Sequence, residues 1–436
     1  MEHWGNLNVN EQGHLMLGGC DALVLAEQFG TPLYVMEEDV IRDICRRYVR
    51  AVEKYPGGGR VLFAGKALMT TAMCKLVQSE GLGLDVVSGG ELYVAMNAGV
   101  DLDNVYFHGN NKTPADLKMA VEAGIGRIVI DSAQEIRLLG SIAADAGRVQ
   151  DVSVRIKPGI EAHTHDYIKT GQVDSKFGFG IEDGKGMQAI KDILAQKSLK
   201  LTGIHCHIGS QIFELQPFHD AVDVMLDYLL AINAETGYTM SEIDFGGGYG
   251  IHYTKGDDPL KPHEYVQTMI DELTKRCEAK GIDCPAFVIE PGRSIAGEAG
   301  TTLYTVGDIK QIEGVRTYVS VDGSMADNPR PALYQAQYTC ALAGKMNAPD
   351  ETVVSIAGRA CESGDMLVWD ARLPKADAGD VLAVFSTGAY NYSMASNYNK
   401  LPHPAMVLVR GGKAELMVRR QSYEDLVKND VIPGWL

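Results

Sequence analysis

At 436 residues, with 45% apolar and 22% charged side chains, the chain has room for one large globular domain and a smaller one. A formal net charge of −17 argues against nucleic acid or an anionic membrane surface as the main partner. No basic-then-apolar leader opens the sequence and no apolar run nears the roughly 20 residues of a membrane-spanning helix, so neither is expected.

The first 30 or so residues include LNVNEQGHLMLGG, a hairpin-like stretch; residues 1–35 are expected to pair with the C-terminal part of the chain. From 36 to about 300 one rhythm recurs: a short apolar strand, a Gly- or Asn-containing turn, then an amphipathic helix. Strands are predicted near Val61, Leu82, Asn104, Arg127, Val152, Leu201, Glu242 and Pro285. Eight such units in succession predict a (β/α)₈ barrel, with an open parallel sheet as the alternative. The segment EAHTHDYIKTGQVDSKFGFG, between the fifth and sixth strands, reads as an extended loop over the barrel mouth. Over 301–436 the pattern changes to apolar–polar alternation between turns (TYVSVDGS, ETVVSIAGR, DVLAVFSTG), which predicts a mostly antiparallel β domain of barrel type. The eight cysteines are scattered without CxxC or CxxH spacing, which argues for reduced cytoplasmic thiols rather than disulfides or a zinc site.

Reactive groups of a (β/α)₈ barrel sit at the C-terminal ends of its strands, and the polar residues of this chain fall there. Lys66 ends the first strand after an apolar run, where desolvation would make its amine a nucleophile; alone it would be an ordinary snorkelling lysine. Gly246, Gly247 and Gly248 follow the seventh strand and Glu290-Pro291-Gly292-Arg293 ends the eighth. Those two loops are the usual barrel phosphate site, although a glycine run alone is equally a tight turn. Neither GxxxxGK[ST] nor a strand-linked GxGxxG is present, so a nucleotide is not expected. Glu290 and Arg293 form either a structural ion pair or a divided pair, with Glu290 facing a pyridine nitrogen and Arg293 binding a phosphate or carboxylate. His205 and His207, two apart on the sixth strand, share a face; a metal pair would need a third ligand, which is not evident, and a ring packed on a planar cofactor is the functional alternative to a core histidine. Cys361-Glu362, in the β region, reads as a proton donor or a packed thiol, and Arg330 with Tyr334 as a further polar pair.

Taken together, the chain resembles the diaminopimelate decarboxylases, of the alanine-racemase-like class of pyridoxal-phosphate (PLP) decarboxylases. The resemblance runs end to end and rests on FAGKAL (63–68), LDVVSGGEL (84–92), HGNNK (108–112) and HTHDYIKTGQVDSKFG (163–178). It continues through HCHIGSQ (205–211), GGGYG (246–250), EPGRSI (290–295), RPALY (330–334), CESGD (361–365) and GAYNYSMASNYN (388–399). It implies that Lys66 forms the Schiff base with the cofactor, Glu290 meets the pyridine nitrogen and His207 stacks on the ring. Asp85, Ser210, Gly247, Gly248, Gly292, Arg293 and Tyr390 would complete the cofactor site. Arg293, Arg330, Tyr334, Glu362 and Tyr390 would bind the substrate, and Cys361 would protonate it. It also implies a homodimer in which Cys361 and Glu362 come from the partner subunit. The chain departs at Gly323-Ser324-Met325-Ala326 and at Gly358-Arg359-Ala360, where no functional group is lost.

The implied reaction converts meso-2,6-diaminopimelate to L-lysine and carbon dioxide. Decarboxylases of ornithine, arginine, lysine or carboxynorspermidine are the alternatives within the class; their substrates lack the distal carboxylate that Arg330 would bind. A racemase or a PLP carrier is the alternative outside it. A racemase wants a tyrosine base and an arginine, not Glu290, at the pyridine nitrogen, and a carrier has no use for the CESGD segment.

Overall fold

A computed structural model describes residues 8–160 and 175–436. The chain divides into two compact units, one comprising Met1–Ile41, His252–Asp258 and Ala296–Leu436, the other Arg42–Ile251 and Pro259–Ile295.

The second unit is a closed parallel barrel. Its strands are β1 (Gly59–Ala64), β2 (Gly83–Val86), β3 (Val105–Phe107), β4 (Arg127–Ile130), β5 (Gln150–Lys157), β6 (Leu199–His205), β7 (Glu242–Asp244) and β8 (Ala286–Ile289). Each hydrogen-bonds to the next, Phe287 to Ile289 pair with Gly59 to Val61, and the ring is complete. The expected (β/α)₈ architecture is therefore met, with each strand starting within two residues of its expected position. The strands are short continuous apolar runs because both of their faces are covered: Val61, Leu62, Phe63 and Ala64 of β1 are all buried. The helices between them start at side-chain caps. Ser88 accepts from the Glu91 amide, and Thr113 forms a capping box with Asp116; the ensuing helices end at Gly99 and Gly124, both left-handed.

The bottom of the barrel is closed by a buried ion pair. Arg127, opening β4, donates from Nε to Glu242 Oε1 (3.0 Å) and from Nη2 to Glu242 Oε2 (2.8 Å), across the barrel at the start of β7. That fork fills the lower end and leaves the upper end for chemistry.

Residues 161–174 of the expected mouth loop lie outside the described residues. Its end is ordered by Phe179–Gly180, which pairs in parallel with Ile156 and Lys157 of β5.

The first unit is a mostly antiparallel sheet centred on the long strand Gly300–Ile312, which pairs antiparallel with Leu33–Glu37, Arg316–Val321 and Val381–Phe385. Leu33–Glu37 runs parallel to Ala405–Arg410, and Arg316–Val321 runs parallel to Thr352–Ala357. Leu15, Leu17, Leu25, Leu33, Val35, Leu303, Phe385 and Val407 form its core. Burial of each such side chain contributes roughly 1.5–3 kcal/mol. Among the described residues no helix is long and apolar enough to cross a membrane.

Candidate active site

The C-terminal ends of the barrel strands enclose a cavity of about 330 Å³ whose lining includes Lys66, Asp85, His108, His205, His207 and Glu290. Lys66 does not end β1 as expected. The strand stops at Ala64, and Lys66 sits in the single turn Gly65–Ala67 that follows, exposed to the cavity. Its turn is pressed against β2: a Cβ on Gly65 would lie 2.8 Å from the Asp85 carbonyl oxygen, so glycine is needed there.

Glu290 follows β8 and is buried, with His108 Nε2 2.6 Å from its Oε1 and His205 Nε2 3.3 Å from its Oε2. Burial alone would raise the pKa of this carboxyl, but the two imidazoles outweigh it, and Glu290 is held well below the usual carboxylate range. Burial pushes His205 down to about 3, so it serves Glu290 as a neutral hydrogen-bond donor. Next to them, burial and then Glu290 itself push Asp244 well up; this carboxyl keeps its proton while Glu290 gives its own away. Asp85, buried on β2 with its Oδ1 3.8 Å from His108 Nε2, is likewise raised by burial, against the pull of His108. The sequence showed no third ligand beside the two histidines. The fold brings His108, Asp244 and Glu290 to His205 with donor atoms within 4.8 Å of one another, a set that in chemical terms could also hold a cation.

His207 lies beyond the end of β6 rather than on it, because the strand stops at His205. The Gly247 amide donates to its Nδ1 at 3.3 Å, which leaves the proton of a neutral ring on Nε2. Burial and the Lys66 ammonium push this imidazole well down, so the ring facing the cavity is neutral.

The expected phosphate loops converge. Arg293 donates from Nε (3.2 Å) and Nη2 (2.9 Å) to Ser210 Oγ; the guanidinium is thus engaged with the serine loop. The glycines are required by the strand ends themselves. Gly246 and Gly248 have φ of +66° and +115°, and a Cβ on Gly247 would lie 2.3 Å from the Glu290 carbonyl oxygen. A Cβ on Gly292 would likewise lie 2.9 Å from the Cβ of Ala64.

Sequence reasoning missed His108, Asp244 and Arg155; Asp244 ends a barrel strand and His108 follows one directly, the same signal that identified Lys66 and Glu290, whereas Arg155 lies within β5, two residues before its end. Arg155 is buried and lies over the Phe177 ring, 4.2 Å from its centroid.

The remaining expected residues lie in the other unit. Arg330 opens the short helix Arg330–Tyr334, is buried, and donates from Nη1 to Tyr338 Oη at 2.6 Å; its guanidinium lies 4.9 Å from the Tyr253 ring centroid. Tyr334, the expected neighbour, is half-buried. Tyr390 has a φ of +68°, a conformation seldom adopted by a bulky residue. Cys361 is the exposed one among eight free cysteines, and its amide donates to Asn399 Oδ1 at 2.6 Å. Glu362 is exposed beside it. Buried Asp365 braces this loop by accepting from the Ala360 amide (2.7 Å) and the Met325 amide (2.6 Å).

Comparison with known proteins gives a consistent result. Residues 41–297 match the family model of the pyridoxal-dependent decarboxylase, pyridoxal binding domain. The diaminopimelate decarboxylase of Bacillus subtilis is 49% identical over 427 residues, covering 98% of this chain and 97% of the relative. That of Staphylococcus aureus is 44% identical, covering 97% and 98%. Among solved structures, diaminopimelate decarboxylase from M. jannaschii in co-complex with L-lysine superimposes with a TM-score of 0.91 at 36% identity, over 98% of each chain.

Proposed function

The chain belongs to the diaminopimelate decarboxylase family of pyridoxal-dependent decarboxylases, with pyridoxal phosphate as its cofactor, and from this premise we propose that it converts meso-2,6-diaminopimelate to L-lysine and carbon dioxide. The observation that carries the reading is the buried Glu290, with His108 Nε2 2.6 Å from its Oε1, in the cavity that Lys66 also lines; the imidazoles hold this carboxyl well below the usual range. An anionic carboxylate is what a protonated pyridine nitrogen requires, and Gly247, Gly248, Gly292, Ser210 and Arg293 offer the close backbone and donors that suit a phosphate. The residues of the barrel therefore fit the group.

When bound, the cofactor supplies a protonated ring that takes up the electron pair left as the Cα–carboxylate bond breaks. Lys66 would be the amine that holds it. Glu290 would keep the ring nitrogen protonated, Asp85 and Tyr390 would help hold the cofactor, and the neutral imidazole of His207 would stack on the ring. Arg330 and Tyr334, with Arg293, bind the distal carboxylate that the reaction leaves intact, and Glu362 meets the distal amino group. The thiol of Cys361 delivers the proton that replaces carbon dioxide at Cα, so one proton enters for each carbon dioxide that leaves.

In this reading the barrel unit binds the cofactor, and the β unit, expected over residues 1–35 and 301–436, supplies Cys361 and Glu362 to a partner copy in a homodimer. The exposure of Cys361, against five buried cysteines, supports such a role. The test is carbon dioxide release with the cofactor added and meso-diaminopimelate, ornithine, arginine and lysine offered side by side. Turnover is expected with meso-diaminopimelate; faster turnover of ornithine or arginine rejects the assignment.

A further inference from the structure

The segment His108-Gly109-Asn110-Asn111-Lys112 follows β3, and its first three residues line the cavity while Lys112 turns inward. The Lys112 side chain is 1% exposed, and its ammonium donates to the Gly109 carbonyl at 2.8 Å, the Val129 carbonyl at 2.7 Å and Glu135 Oε1 at 2.8 Å. Those three bonds use every proton it has. Glu135, also buried, accepts with Oε2 from the Asp131 amide at 3.2 Å, and Asp131 Oδ1 accepts from the Gly178 amide at 3.0 Å. One buried charge thus ties the loop after β3 to β4 and, through Glu135 and Asp131, to the residue after Phe177.

A lysine is costly to bury, and a hydrogen-bonded ladder or an apolar residue would hold β3 to β4 as well. What the ammonium adds is a fixed point on the carbonyl next to His108. The His108 amide is pinned from the other side, donating to the Val86 carbonyl at 2.8 Å. With both sides of the residue held, its imidazole is set at 2.6 Å from Glu290 Oε1. Nothing in the decarboxylation just described uses Lys112 or Glu135.

We propose that Lys112 is a positioning residue: by gripping the Gly109 carbonyl it fixes His108 against Glu290 and so sets how firmly that carboxylate serves the cofactor's ring nitrogen. This rests on the reading of Glu290 given above. The charge of Lys112 acts through two intervening residues and touches neither cofactor nor substrate.

The test uses the full chain loaded with pyridoxal phosphate and the double substitution Lys112→Met with Glu135→Met, which removes both charges so that neither is left buried alone. Two quantities are read: the pH midpoint of the bound cofactor's absorbance change, and the cofactor dissociation constant from fluorescence titration of the cofactor-free chain. A loosened His108 weakens Glu290 as a partner, so the midpoint falls by about one pH unit and binding weakens about tenfold, two expressions of the same loss. A merely structural strut would lower the melting temperature and move neither; parent-like values of both overturn the proposal. Glu290→Gln is measured beside it. If that substitution leaves the midpoint unmoved, the reading of Glu290 fails and the proposal with it; if it moves the midpoint and the double variant does not, only the role of Lys112 is lost. Should the double variant not melt cooperatively, Lys112→Gln, too short to keep all three contacts, is read in the same way: a shift in the same sense supports the proposal and a parent-like titration overturns it.

Discussion

Replacing Glu290 by glutamine changes the charge of the proposed ring partner with almost no change of shape. In the parent, Oε1 lies 2.6 Å from His108 Nε2 and Oε2 lies 3.3 Å from His205 Nε2, so both oxygens face imidazole nitrogens. Glutamine keeps one acceptor, and one imidazole must then meet an amide donor. The cofactor's ring nitrogen loses its anionic partner as well. A hydrogen bond to a charged group contributes about 1.5–3 kcal/mol. At 1.4 kcal/mol per tenfold this corresponds to roughly 10- to 150-fold weaker cofactor binding, and turnover should fall at least as far. The pH dependence of folding gives a second readout. The native value of Glu290 is depressed below its ordinary 4.5, so its contribution to stability is complete above that value and disappears as pH falls through the lower native value. Urea unfolding of the cofactor-free chain should therefore show a flatter acid limb in Glu290→Gln. Cofactor affinity and turnover within twofold of the parent, with an unchanged acid limb, would refute the argument.

Cys361→Ala should leave the bound-cofactor spectrum intact and change stability by less than about 0.5 kcal/mol, because the thiol is exposed. Turnover should drop about 10²- to 10⁴-fold, the usual contribution of a placed proton donor, and full activity in the variant rules that role out. Arg330→Gln breaks a buried guanidinium from Tyr338; the KM for meso-diaminopimelate should rise about 10- to 100-fold with a smaller change in kcat, as steady-state kinetics will show. Burial pushes Asp327 up to about 7, against the hydrogen bonds from Tyr304 and the Ser324 amide. A carboxyl raised in the native state stabilises the fold below its unfolded value and loses that contribution as pH rises to about 7. Chemical unfolding should thus show stability falling between about pH 4 and 7, with a shallower fall in Asp327→Asn.

The strand ends were legible because a parallel strand covered on both faces is a continuous apolar run that stops where the polar mouth begins. FAGK, IEPGR and DFGGG each show the stop, and Lys66, Glu290 and Gly246–Gly248 all border the upper end of the barrel. What strand ends do not encode is which of two neighbouring side chains meets a partner from another strand. His205 and His207 read as equals, yet β6 stops at His205, which bonds Glu290, while His207 bends over Gly247. Arg330 was matched with Tyr334 by spacing, but the helix is a single turn that ends at Gln335 with φ +54°, and the reversal returns Tyr338 to the guanidinium. Loop closure of that kind depends on one left-handed residue, and glutamine carries no signal for it.

Glu290 is one member of a buried group of acids and imidazoles. Its carboxylate shares the cavity wall with Asp85, His108 and His205, and Asp244 lies close beside His108, His205 and Glu290, the four gathered from the ends of β2, β3, β6 and β7 by closure of the barrel. Three carboxyls in so small a buried volume cannot all ionise, and the fold divides them: Asp244 and Asp85 are raised while Glu290 is lowered. The division follows from geometry, since Glu290 has an imidazole nitrogen near each oxygen, at 2.6 and 3.3 Å, whereas the nearest for Asp85 is 3.8 Å away. An anion placed by imidazoles at one point of the wall, rather than a charge spread over three acids, is what lets the barrel present a directional partner to a pyridine nitrogen.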